Sequence, residues 1–167
     1  MGVKWKTKKN DFPKVEAILE RIDGKKVSVG VLGGGEQAWL AGIHEYGCKI
    51  KVTDKMRKYL AATGLHLKAT TTHITIPERA FLRNGYDENK DEFIEVAEGL
   101  LGDVIGGTMT ADMLFKTVGL FMKSRIQDYA TELDSPPNHP YTLKNKGSSN
   151  PLVHTGDMIG AIDYKVE

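Results

Sequence analysis

Five histidines and one cysteine have the widest chemical repertoire in this sequence: His44, His66, His73, His139, His154 and Cys48. His44-Glu45 opens as a zinc-peptidase helix does. That chemistry needs a second histidine four residues on, so that two imidazoles share one helix face, and position 48 is a cysteine instead. A His44/Cys48 pair could share a face only if the helix ran through Gly47, which reads as its stop, and no third ligand is near. Gly33-Gly34-Gly35 follows a β-branched run as a phosphate loop would. It lacks the Gly-Lys-Ser/Thr of one nucleotide motif and the Gly-x-Gly-x-x-Gly spacing of the other, so it reads as a flexible strand-to-helix turn. Cys48 has no cysteine–histidine signature around it, and no Gly-x-Ser-x-Gly elbow occurs. Asp87, Glu88, Asp91, Glu92, Glu95 and Glu98 are spread at helical spacing, which makes a solvated acidic face or a partner surface rather than an isolated carboxylate pair. No nucleophile, base and orienting group can be assembled, so no catalyst, metal or cofactor is expected.

The charge that does concentrate is basic. Lys49, Lys51, Lys55, Arg57, Lys58 and Lys68 face only Asp54 across residues 48–76. With Tyr59 among them, such a segment could meet phosphates without reading sequence, or dock on protein; the docking arm is the preferred reading.

The elements that would carry these residues follow from periodicity. Phe12, Val15, Ile18, Leu19 and Ile22 predict a helix capped at Asn10 or Asp11 and ended by Gly24. Val27, Val29 and Val31 predict a strand. Trp39, Ile43 and Tyr46 predict a second helix with those residues on one side. Residues 48–76 read as an inserted β-rich arm. It holds a strand at Ile50 and Val52, a short helix capped by Asp54, and two strands at Leu65/Leu67 and Ile74/Ile76. Phe93, Val96, Ala97, Leu100, Leu101 and Val104 form one core stripe, and Leu114, Phe115, Val118, Phe121, Met122 and Tyr129 a second, started by Thr108 or Thr110. Those two helices are expected to pack antiparallel. Ser135-Pro136-Pro137-Asn138-His139-Pro140 argues against helix, so 134–154 reads as an extended loop. Thr155 caps a last turn with Met158 and Ile159, and Ile162, Tyr164 and Val166 alternate as a final strand. Nothing in the pattern decides whether the first and last strands pair. The expected class is α+β in a single domain, with helices on one face of a small, mostly antiparallel sheet.

With 167 residues, 40% hydrophobic and 27% charged, the chain can bury a core and is not wholly disordered. A net charge of +1 excludes a strongly basic nucleic-acid binder as a whole-chain reading. A lone cysteine closes no internal disulfide. The amino terminus has no apolar core of a signal peptide, and no stretch reaches the roughly 20 apolar residues of a membrane span. A soluble protein made in a cytosol is expected.

Three stretches, Ile43-His44-Glu45-Tyr46-Gly47, Ile76-Pro77-Glu78-Arg79-Ala80-Phe81-Leu82-Arg83, and Pro151-Leu152-Val153-His154-Thr155-Gly156-Asp157-Met158 running into Ile162–Val166, together resemble the neck and tail-completion (virion morphogenesis) proteins of tailed bacteriophages. The resemblance covers most of residues 26–166. In that family the middle motif usually has proline where Ala80 stands, and the last has Ile-Asp where Val153-His154 stands. The resemblance implies an α+β, non-enzymatic subunit of a ring, six or twelve copies around an axis, at the head–tail junction of a virion assembled in the host cytoplasm. Its implied partners are portal or adaptor, tail terminator or tube, sheath in a contractile tail, and DNA passing through the ring; no membrane is involved. The residues expected to make contacts are Lys49, Ile50, Lys51, Val52, Arg57 and Tyr59 in the arm, and His139, Tyr141, Lys144 and Lys146 in the loop. The alternative is a nucleic-acid-associated module using the basic arm at 49–68.

Overall fold

The computed structural model describes residues 12–167, so the caps expected at Asn10 or Asp11 lie outside the described residues. The elements run α1 (Phe12–Ile22), β1 (Val27–Gly30), α2 (Glu36–Tyr46), β2 (Cys48–Lys51), α3 (Asp54–Ala62), β3 (His73–Ile76), α4 (Phe81–Gly106), α5 (Ala111–Glu132), α6 (Pro140–Lys146), α7 (Asp157–Gly160) and β4 (Asp163–Val166). The class is α+β: helices dominate, and the strands form two separate antiparallel pairs, β1 with β4 and β2 with β3.

The two apolar stripes make an antiparallel hairpin of α4 and α5. Gly107, at φ +81, ends α4 by donating its backbone N–H to carbonyls of the last turn, and the Thr110 hydroxyl accepts from Met113 N to start α5. Val104, Ala111, Leu114 and Val118 are buried at the hairpin's closed end, with Ile18 and Ile22 of α1 against them. Further along, Phe93 meets Phe121 edge-on at 6.0 Å between ring centroids. α4 begins at Phe81, about three turns before the stripe that betrays it in the sequence.

β1 and β4 do pair. Val27 lies opposite Val166 and Val29 opposite Tyr164, and Lys26 and Glu167 extend the ladder by exchanging backbone bonds. The sheet lies on α5, where Gly119 admits the Tyr164 ring; a Cβ there would stand 2.3 Å from Tyr164 Cδ2. A second core forms where α2, the start of α4, the end of α5 and the chain from 151 to 162 converge. It encloses Ala41, Phe81, Ile126, Ala130, Leu133, Leu152, Met158, Ile159 and Ile162.

Four elements differ from the sequence expectation: α3, α6, the Leu65/Leu67 strand, and α7, which is capped at Gly156 with no side-chain cap bond rather than at Thr155. α2 adds its facing, which the sequence left open. α2 is present, but Trp39 and Tyr46 are 65% and 68% exposed while Ala41 and Glu45 are buried, so its aromatic stripe faces outward. Leu65 and Leu67 form no strand; β3 pairs directly with β2. α3 is capped by Thr53, whose hydroxyl accepts from Met56 N, with Asp54 as its first residue. The 134–154 segment contains α6, because Pro140 occupies the first helical turn, where its missing N–H has no intrahelical partner to lose.

Candidate functional site: the arm, its base and the groove beside it

The base of the arm is built from two of the motifs singled out above. α2 ends at Gly47 with φ +68, and a Cβ there would stand 2.7 Å from Glu78 N, so only glycine lets the returning chain lie this close. Arg79 N and Ala80 N donate to the carbonyls of His44 and Glu45. α4 then starts without a capping side chain of its own. Glu45 does that work from α2: its buried carboxylate accepts from Leu82 N at 2.9 Å and Arg83 N at 3.2 Å, two N–H groups of the first turn. Arg83 adds Nε to Glu45 at 2.8 Å and reaches Glu78 at 2.7 Å, with its guanidinium over the Tyr46 ring.

Arg79 is buried and points the other way. It donates to Pro136 O, to His44 Nδ1 at 2.9 Å and to Asn138 Oδ1, which ties the 134–138 segment to α2. His44 must therefore present Nδ1 as an acceptor and carry its proton on Nε2. Burial, then the charges of Arg79 and Lys146, lower its pKa to about 4. Lys146 donates to Asn150 O and Pro151 O, and burial, with Arg79 nearby, lowers its pKa as well. Asn150 completes the frame. Its amide donates to Thr131 O and Leu133 O at the end of α5, and its carbonyl accepts from Leu152 N and Val153 N.

The arm runs from this base. Cys48 opposes Ile76 and Ile50 opposes Ile74, while Lys49, Lys51, His73 and Thr75 share the other, exposed face. No residue from 48 to 76 is buried. Arg57 turns back into the arm, donating to the carbonyls of Leu67, Lys68 and Thr71, and so shapes the irregular return that replaces the expected strand. Among the described residues one side-chain hydrogen bond leaves the arm, from the Tyr141 hydroxyl of α6 to Thr63 Oγ1 at 2.7 Å. Between α2, α3, α6 and the 151–158 segment lies an open groove of about 880 Å³, lined by Leu40, His44, Tyr59, Leu60, Tyr141 and Lys146 among others.

The structure thus places the ten expected contact residues in three settings. Lys49, Lys51, Lys144 and Tyr59 present their side chains to solvent, Tyr59 at 67%. Ile50 and Val52 are partly covered within the arm. Arg57 is tied down within the arm, while His139, Tyr141 and Lys146 serve α6 and the frame; His139 Nδ1 accepts from Tyr141 N at the start of α6. Glu45, Arg79 and Asn150, which do most to hold the frame, are not among the contact residues expected from the sequence, and no structural role for them follows from it. One signal was available for Glu45: it falls four residues after Ala41, on the face opposite the aromatic stripe.

Among the described residues no group of three His, Cys, Asp or Glu side chains could hold a metal ion, and no helix is long and apolar enough to cross a membrane. Ala80 bears on the resemblance. At φ +47 it lies in the left-handed region, which a proline ring cannot enter, so the corner takes a path closed to the proline of the resembled motif. Comparison of the chain with protein-family models, with curated proteins and with solved structures finds no match in any of the three.

Proposed function

We propose that this chain is a non-enzymatic structural subunit that assembles into a ring, and that the ring is the neck or tail-completion ring joining capsid and tail in a tailed phage. The observation that carries the assembly reading is the arm: a β-hairpin with a short helix that buries no side chain and has open backbone edges on both strands. A two-stranded hairpin is marginal alone, and an open edge invites a neighbouring chain. Trp39, Tyr46 and Tyr59 add exposed aromatic surface of the kind that protein interfaces enclose. The polar groups with chemical potential, His44, Glu45, Arg79 and Arg83, spend their hydrogen bonds on the frame that aims the arm. The phage setting, with its portal, terminator, tube or sheath partners and its place in the virion, rests on the three resembling motifs.

The test is direct. Purified protein should form closed rings of one dominant copy number by mass photometry and negative-stain imaging, and a tagged copy should map to the neck of the virion. A protein that stays monomeric at high micromolar concentration and low salt refutes the ring. A ring that is absent from virions refutes the neck.

A further inference from the structure

We infer that the basic face of the arm docks on the acidic outer face of α4 in a second copy of this chain; this rests on the assembly reading above and names its contact. The charges are opposite in sign and equal in size. The arm has six cationic side chains against Asp54 alone, and α4 has seven carboxylates against Arg83 and Lys90. Much of that charge is free to act outward. Lys49 and Lys51 stand on the exposed hairpin face and engage no acceptor among the described residues; Lys55, Lys58 and Lys68 are likewise exposed and unpaired. On α4, Glu92 is taken by Arg125 and Arg83 by Glu45 and Glu78, whereas Asp87, Asp91, Glu95 and Glu98 pair with nothing described.

Those four carboxylates recur at spacings of four, four and three. At 100° per residue they fall within an arc of roughly 80°, one continuous stripe. Ile94 lies beside that stripe and is 47% exposed, an apolar side chain with Lys90, Asp91 and Glu98 within one turn of it. A face of this kind offers apolar contact within a charged surround, the arrangement of a protein interface. The hairpin face supplies the complement, with Thr75 opposite Lys49 and His73 opposite Lys51. Donor and acceptor are different patches of the same chain, so the contact can repeat head-to-tail from copy to copy, the type that generates rings when its rotation closes. Duplex DNA would also satisfy the lysines, but it would leave the acidic stripe and Ile94 without a partner.

Charge reversal followed by mixing tests this. One variant carries Lys49→Glu and Lys51→Glu, the other Asp91→Lys and Glu95→Lys. All four positions are exposed and unpaired, and circular dichroism should show both variants folded. Each alone should assemble at least ~10-fold more weakly than the parent at 50 mM salt, since each sets like charges against each other. Mixed at equal concentration they should recover assembly, because the acidic arm of one meets the basic helix of the other and the basic arm meets the acidic helix. Parent assembly should weaken as salt rises and the screening length shortens. If the parent assembles and either variant alone assembles as the parent does, or the mixture fails to recover, this contact is wrong while the ring stands. If the parent never assembles, both fall together. If the arm variant assembles normally but loses salt-sensitive binding to duplex DNA, the arm is a nucleic-acid contact and the inference is overturned.

Discussion

In the body of the molecule Phe81, Pro151 and Ile162 are fully enclosed, and two apolar clusters run the length of the α4–α5 hairpin. In the arm, Ile50, Leu65, Leu67 and Ile74 all keep contact with solvent, though their spacing is as regular. Both regions have β-pairing and capped helices. They differ in where their stability comes from: the body gains it from enclosed apolar surface, the arm from its own hydrogen bonds and a base clamped by Glu45 and Gly47. Periodicity alone therefore does not separate a core element from an interaction element. What separates them is whether a second layer lies on the apolar face. The contrast predicts large, global effects at the base and in the body, and small, local ones in the arm.

The largest effect is expected at Phe81, which opens α4 inside the second core. Phe81→Ala should cost about 3–5 kcal/mol in urea or guanidinium melts, from lost transfer energy and the cavity left behind. Next comes Glu45→Ala. It leaves Leu82 N and Arg83 N at the start of α4 without their acceptor and should cost about 2–3 kcal/mol. Glu45→Gln, which keeps an acceptor oxygen but loses the charge, should recover part of that. A melt in which either Glu45 change is neutral would remove the clamp and with it the idea of a fixed base.

The same base should make the fold pH-sensitive. His44 has a folded pKa of about 4 against an ordinary 6.5. Between these values the unfolded chain takes up a proton that the folded chain refuses. Stability is therefore full above about pH 6.5, falls as pH drops below it, and levels off below about 4. His44→Asn keeps an acceptor for Arg79 without a titrating ring, so chemical melts between pH 7 and 4.5 should show a flatter acid limb. An unchanged slope would mean that other groups carry it. At Ala80, by contrast, the expected change is a gain: glycine relieves the left-handed backbone and should add up to about 1 kcal/mol, whereas Ala80→Pro should destabilise clearly.

How much of this was readable depends on how far each determinant lies along the chain. The α4–α5 hairpin was legible because its stripes, the Gly106-Gly107 stop and the Thr110 cap are local. The pairing of β1 with β4 was not, since alternation marks a strand without naming its partner. α2 was legible as a helix, but its inward face was not: Trp39, Ile43 and Tyr46 mark one side without saying where it points, and only Glu45, paired to residues of α4, shows that the opposite side goes inside. α6 was not legible because Pro136, Pro137 and Pro140 together read as breakers, and only the place of Pro140 in the first turn makes it compatible with a helix. The arm's limits at 48 and 76 coincide with β2 and β3, but Arg57, chosen for its charge, is occupied by three backbone carbonyls supplied by residues that follow it. A side chain whose partners lie dozens of residues away, such as Arg79, gives no periodic signal at all, and neither does Asn150, which joins the end of α5 to the chain just after it.

The smallest effect expected on the body is also the sharpest probe of the comparison. Replacing residues 50–74 by a short Gly-Ser bridge removes α3 and half of each of β2 and β3, yet takes nothing from either buried cluster. It breaks one described side-chain bond to the rest of the chain, the one from Tyr141 to Thr63, which is exposed and contributes about 1 kcal/mol at most. The bridge must span only the gap between neighbouring strands, since Lys49 lies opposite Thr75, so closing it should not strain Gly47 or Glu78. The shortened chain should therefore fold with its body helices intact by circular dichroism and melt within about 1 kcal/mol of the parent, while assembly is lost. The two readouts separate the roles because only assembly needs the arm's surface. Should the shortened chain fail to fold, the arm contributes to the core after all and the contrast between the two regions collapses. Should it fold and still form rings, the arm is a separate appendage and the ring contact must be sought on the outward aromatic face of α2.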